Sequence, residues 1–139
     1  MADTIPEGFE PLFHSSPFLD RTGPFYSKGH GKELRISLRV MEHHLNARGS
    51  VHGGLFMTMA DIALGYAMAT SADPPVKAVT ASVSTDFAGS AKLGDWIESS
   101  ADIQKVGRTL AFCNVYLYVG DQRIIRASGI FAVQQGQAE

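Results

Sequence analysis

The chain has 139 residues, with twelve Lys and Arg against fourteen Asp and Glu and a net charge of −2. That is enough chain for one ordinary hydrophobic core, and a near-neutral balance with scattered basic residues argues against nucleic acid as a partner. A single cysteine, Cys113, excludes an internal disulfide and suits a reducing compartment.

The N-terminus, MADTIPEGFE, lacks a basic stretch followed by an apolar run, so it does not read as a signal peptide. Pro6, Pro11, Pro17 and Pro24 crowd residues 1–31. This segment is expected to be loop with one short helix, draped over a single domain spanning 1–139. Its aromatic and aliphatic residues Phe9, Leu12, Phe13, Phe18, Leu19, Phe25 and Tyr26 are expected to seek burial.

Residues 33–40, ELRISLRV, alternate strictly, which predicts a strand with Leu34, Ile36, Leu38 and Val40 on its buried face and Ser37 among the outward residues. MEHHLNARGS follows as a loop. Residues 52–72, HGGLFMTMADIALGYAMATSA, are too long and too evenly apolar for a strand; they predict a central helix closed by Asp73-Pro74-Pro75. The longest apolar stretch carries Asp61 and is too short to span a bilayer, so no membrane association is expected. Four strand-like runs complete the chain: AVTASVSTDF, DWIESSADIQKV, TLAFCNVYLYV and RIIRASGIFAV, with Gly107-Arg108 and Gly120-Asp121 at hairpin turns. The expected fold is α+β, an antiparallel meander against one long helix. A helix apolar on all sides, and a strand VTASVSTDF with no proline or lysine to protect its edge, both favour a dimer.

Asp61 is the anomaly. A carboxylate among Leu55, Phe56, Met57, Met59, Ile62, Ala63 and Leu64 is costly to bury, and its own helix offers no nearby cation. It is either a structural group with a remote partner or a functional one. The His52-Gly53-Gly54 sequence sits at the helix start. There, free N–H groups and the missing Cβ suit either a plain loop-to-helix junction or the stabilisation of a developing oxyanion. Asp61 lies eight residues beyond Gly53, about 12 Å along the axis. One helix can hardly aim both groups at one small centre; two antiparallel helices across a dimer interface can.

The stretch NARGSVHGGLFMTMADIALG resembles the signature of the hotdog-fold acyl-CoA thioesterases, in the phenylacetyl-CoA thioesterase branch. There an Asn precedes His-Gly-Gly by six residues, and an Asp follows in the central helix. The likeness runs from about residue 33 to 133 and includes AKLGD and KVGRTLAF. It implies an antiparallel sheet wrapped around one long helix, and hydrolysis of acyl-CoA to free acid and coenzyme A, without a separate cofactor or metal. Asp61 would be the base or nucleophile, and the Gly53 N–H the oxyanion donor. His52 would orient that end of the site, and Asn46 would hold water or the substrate carbonyl. Thr80, on a strand facing the helix, would position water. Arg108 and Lys92 would contact the phosphates of coenzyme A. The resemblance further implies a cytoplasmic homodimer with shared sites, paired into a tetramer. Phe56, Met57, Met59 and Tyr66 are candidates to line the acyl pocket. Taken singly, Asn46 also suits a turn, His43 and His44 fit no metal-ligand spacing, and Cys113 reads as core filler. An α/β-hydrolase would need a G-x-S-x-G elbow, and a hotdog dehydratase places its His and acid differently. The remaining alternative is a non-catalytic acyl-CoA binding or sensing module.

Overall fold

The computed structural model describes residues 4–134. Seven strands form one antiparallel sheet: β1 (Glu10–Pro11), β2 (Tyr26–Lys28), β3 (Arg35–Arg39), β4 (Ala78–Phe87), β5 (Trp96–Val106), β6 (Leu110–Val119) and β7 (Gln122–Val133). Their order across the sheet is β1-β2-β3-β5-β6-β7-β4. A short helix α1 (Pro17–Thr22) and a long helix α2 (Gly53–Ala69) complete the regular structure. The last three strands are a meander, as expected, but β4 is not: the 88–95 connection carries the chain from the edge beside β7 to the middle of the sheet, beside β3.

One face of α2 supplies the core. Leu55, Phe56, Met59, Ala60, Ala63, Leu64, Ala67 and Met68 are buried, against Ile97 of β5, Val115 and Leu117 of β6 and Ile125 and Ala127 of β7. Each large apolar side chain so buried contributes about 1.5–3 kcal/mol. Gly129 of β7 lets the helix come close: a Cβ there would lie 2.9 Å from Leu64 Cδ1 and 2.9 Å from Phe131 Cε1. The helix stops at Ala69, before the prolines, because the Thr70 hydroxyl donates to the Tyr66 carbonyl at 2.7 Å while accepting the Gly31 N–H at 2.7 Å. Among the described residues no helix is long and apolar enough to cross a membrane.

Two expectations for the first forty residues need correction. The N-terminal segment contributes two strands as well as its helix, and only part of it is buried: Leu19 and Phe25 enter the core, whereas Phe13 and Phe18 are 55% and 60% exposed. Ser37 is fully buried rather than outward: its small side chain lies in register between two larger ones, Tyr26 of β2 and Glu98 of β5.

His44 ties the two regions together. It is buried; its Nδ1 accepts the Met41 N–H at 2.9 Å, and its Nε2–H donates to the Thr22 carbonyl at 2.7 Å. This arrangement requires the neutral ring. Burial, reinforced by neighbouring His43, lowers its pKa from 6.5, outweighing the backbone carbonyls that favour the cation. The unfolded chain therefore binds the proton more readily, so the contribution is full above pH 6.5 and is lost as pH falls through and below that value. In chemical denaturation between pH 7.5 and 5.5, His44→Gln should be less stable than the natural chain at pH 7.5 by about 1–3 kcal/mol. The gap should narrow toward pH 5.5.

Candidate active site

Loop 45–52 delivers the N-terminus of α2. Asn46 is its turn former: Oδ1 accepts the Arg48 N–H at 2.8 Å and the Ser50 N–H at 3.1 Å, closing the bridge between Leu45 and Val51. These bonds occupy the side-chain carbonyl and leave the amide donors.

His52 is the N-cap, and it uses up most of the free donors that every helix start presents. Its own N–H donates to the His44 carbonyl at 2.9 Å. Its Nδ1 accepts the Gly54 N–H at 2.8 Å, which places the proton of a neutral ring on Nε2. Its carbonyl accepts the N–H groups of Leu55 at 3.0 Å and Phe56 at 3.4 Å. The Gly53 N–H is the one left without an acceptor among the described residues. The Phe87 ring stands 3.5 Å from where a Gly53 Cβ would be, so this donor has an apolar wall beside it.

Two turns on, Asp61 points to the other end of β4. The Thr80 hydroxyl donates to Asp61 Oδ1 at 2.9 Å, which orients the carboxylate. A register shift between Thr80 and Ser82 lets one strand present Thr80 to Asp61 and Phe87 to the helix start. Asp61 opens onto a cavity of about 480 Å³ whose wall includes Ile62, Gly65, Tyr66, Val76, Ala78 and Phe131. Burial and then the Asp61 charge hold the Tyr66 phenol above its ordinary pKa of 10.0, so it stays a neutral donor. Within its own chain Asp61 is half-buried, not enclosed, because the core-facing stripe of α2 turns its back on it. That corrects the reading of a carboxylate sunk in the core.

The sites named from sequence are therefore brought together in two groups, Asp61 with Thr80 and Gly53 with His52, about 12 Å apart. Asn46 lies in the loop that leads to the second. Lys92 and Arg108 fall at opposite ends of the sheet. Lys92 bridges to Ser50 near the helix start, and Arg108 sits in the β5–β6 turn, next to Thr109, whose carbonyl takes the Val133 N–H. Of the four pocket candidates only Tyr66 lines the Asp61 cavity. Phe56 and Met59 are core, and Met57 is 37% exposed. Cys113 is buried with its thiol pushed up to about 11, chiefly by burial, so it is no nucleophile. His43 and His44 donate to backbone carbonyls of the 22–23 turn, and among the described residues no three ligand-type side chains gather to hold a metal. The sequence gives no sign of the wall residues Val76, Lys77 and Gln134, which reach the cavity through the turn after α2 and the end of β7.

The profile of the thioesterase superfamily matches residues 48–125. A Pseudomonas aeruginosa protein called "Putative esterase" is 45% identical over 128 residues, covering 91% of this chain and 96% of that one. Acyl-coenzyme A thioesterase 13 of Mus musculus is 36% identical over 87 residues, 62% of this chain and 61% of its own length. The crystal structure of zebrafish thioesterase superfamily member 2 superposes with a TM-score of 0.78 at 26% identity, over 86% of this chain and 89% of that one. The sheet order, the long helix and the matched motif region agree: the chain belongs to the thioesterase superfamily and has the hotdog fold.

Proposed function

We propose that the protein hydrolyses acyl-CoA thioesters to free acid and coenzyme A. The observation that carries this reading is the unspent Gly53 N–H at a helix start otherwise satisfied by His52, paired with an oriented carboxylate in a largely apolar cavity. Asp61 Oδ2, left free by the Thr80 bond, takes a proton from water as the oxygen adds to the thioester carbon. The Gly53 N–H receives the oxyanion, which costs no reorganisation because the donor is already fixed. Collapse expels the thiolate, and the proton held by Asp61 returns to the sulfur. Direct attack by Asp61, through a mixed anhydride, uses the same two groups.

Both groups cannot serve one carbon across about 12 Å, so each site takes Asp61 from one chain and Gly53 from another. The outer edge of β4 supports this pairing. It lies at the sheet margin, and Phe87 and Met57, on the helix side, are 51% and 37% exposed. A two-fold dimer of this kind covers them and encloses Asp61.

Asp61→Asn should lower kcat by about 10²–10⁴-fold in a thiol-release assay across acyl-CoAs from acetyl to palmitoyl. Stability should hold or rise, since the dimer encloses Asp61 and the change removes an enclosed charge while keeping its shape. Tight acyl-CoA binding by the natural chain with no turnover would make it a binding module instead.

Shared sites have a numerical consequence. Asn46→Asp keeps the acceptor that closes its turn and removes the amide donors. Co-refolded with Asp61→Asn, half of the randomly formed dimers are mixed, and each mixed dimer has one intact site of two. Activity should recover to about a quarter of the natural level, against near zero for either variant refolded alone. No recovery, with mixed dimers present by mass spectrometry of tagged chains, would place both groups in one chain.

A further inference from the structure

The wall of the Asp61 cavity is braced from outside the matched superfamily region. Tyr66, on that wall, carries the Phe13 ring at 5.3 Å between centroids and the His14 ring edge-on at 6.0 Å. Phe13 is 55% exposed, so core burial does not explain its position. The tip that bears these two rings is fixed on both sides. Before it, the Leu12 N–H donates to the Phe25 carbonyl at 3.0 Å. After it, Ser16 caps α1 through the Leu19 N–H at 3.2 Å, and the Ser15 hydroxyl donates to Asp20 at 2.6 Å. Beside Tyr66, Gly65 thins the helix where Phe131 approaches: a Cβ there would stand 3.4 Å from the ring. The space is thus bounded by one fixed ring, Phe131, and one ring held by the N-terminal tip.

We infer that the Phe13–His14 tip, by holding Tyr66 in the wall of the Asp61 cavity, sets the largest acyl group the protein accepts. The inference rests on the acyl-CoA reading of this cavity. The lining is mixed, with Lys77 and Gln134 beside Ile62, Val76, Ala78 and Phe131; against the apolar part, each methylene that enters adds about fourfold in affinity, from ~0.8 kcal/mol per buried CH₂. The gain stops where the chain meets Tyr66. Tyr66 is free to swing only if the tip releases it.

The experiment measures calorimetric Kd for S-alkyl-CoA thioethers from ethyl to dodecyl, which bind without being cleaved, on the full chain. Alongside it, kcat/KM is measured for the matching acyl-CoAs. The natural chain should gain about fourfold per methylene up to a break. Phe13→Ala should move the break to longer chains, with about tenfold tighter binding just beyond it and ethyl binding unchanged. Tyr66→Ala should move it likewise, Tyr66→Phe should not, and Phe13→Ala should add nothing in the Tyr66→Ala background. An unmoved break, a Phe13→Ala effect that persists without Tyr66, or thioethers that do not bind at all would overturn the inference. A moved break without any turnover would instead keep it and remove the hydrolase reading. Turnover with an unmoved break would do the reverse.

Discussion

The structure depends on how α2 is shared between its two sides. Its core-facing stripe is clasped by β5, β6 and β7, close enough that Gly129 has no room for a Cβ. That packing consumes Phe56, Met59, Leu64 and Met68 and leaves the stripe bearing Gly53, Met57 and Asp61 to the edge strand β4 alone, which reaches it through Phe87 and Thr80 and leaves it partly open. Such a stripe beside a bare strand edge is the kind of surface that a partner covers. The same rotation of one helix therefore decides where the core is, which residues are available for chemistry, and why β4 is left open along one edge.

The site is built from leftover valences. A helix start has four donors that need acceptors. His52 meets this need with its own N–H, its Nδ1 and its carbonyl, and stops one short. A serine or aspartate cap would tie down a neighbouring donor as well, but the imidazole also brings a second nitrogen, Nε2, on the outer side. At the other end the Thr80 hydroxyl spends its proton on one carboxylate oxygen and leaves the second. In both places the satisfied bonds fix the geometry, and the unsatisfied atom is the one the proposed reaction uses. Fixed donors and acceptors are what make such a site effective, since they need not be reoriented during reaction.

Much of this was legible in the sequence, for reasons particular to each element. The four C-terminal strands stand where their apolar runs and the glycine turns put them, because each is at least ten residues long; β5, β6 and β7 also have a buried face, which the edge strand β4 lacks. The helix is marked by length and apolarity, and the resemblance to the thioesterase signature puts Thr80 on a strand facing it, where its hydroxyl meets Asp61. The lateral order of the strands was not legible. Nothing local says that the 88–95 connection crosses the sheet. Nor was the burial of Ser37, which depends on a strand, β2, formed by a segment rich in turn residues. The half-exposure of Asp61 was missed because apolar neighbours in sequence lie on every side of a helix, while only those on its core stripe bury anything.

The N-terminal segment adds a further layer to the argument. It stands outside the matched residues 48–125, and by composition it reads as covering loop. Yet it reaches both working ends of α2. Through Thr22 it accepts from the His44 ring, whose backbone carbonyl in turn takes the His52 N–H. Through Phe13 and His14 it rests on Tyr66. The first contact steadies the loop that leads to the Gly53 N–H, and the second steadies a wall beside the carboxylate. The hotdog core fixes the helix, and the N-terminal segment braces the loop and the ring at its two ends.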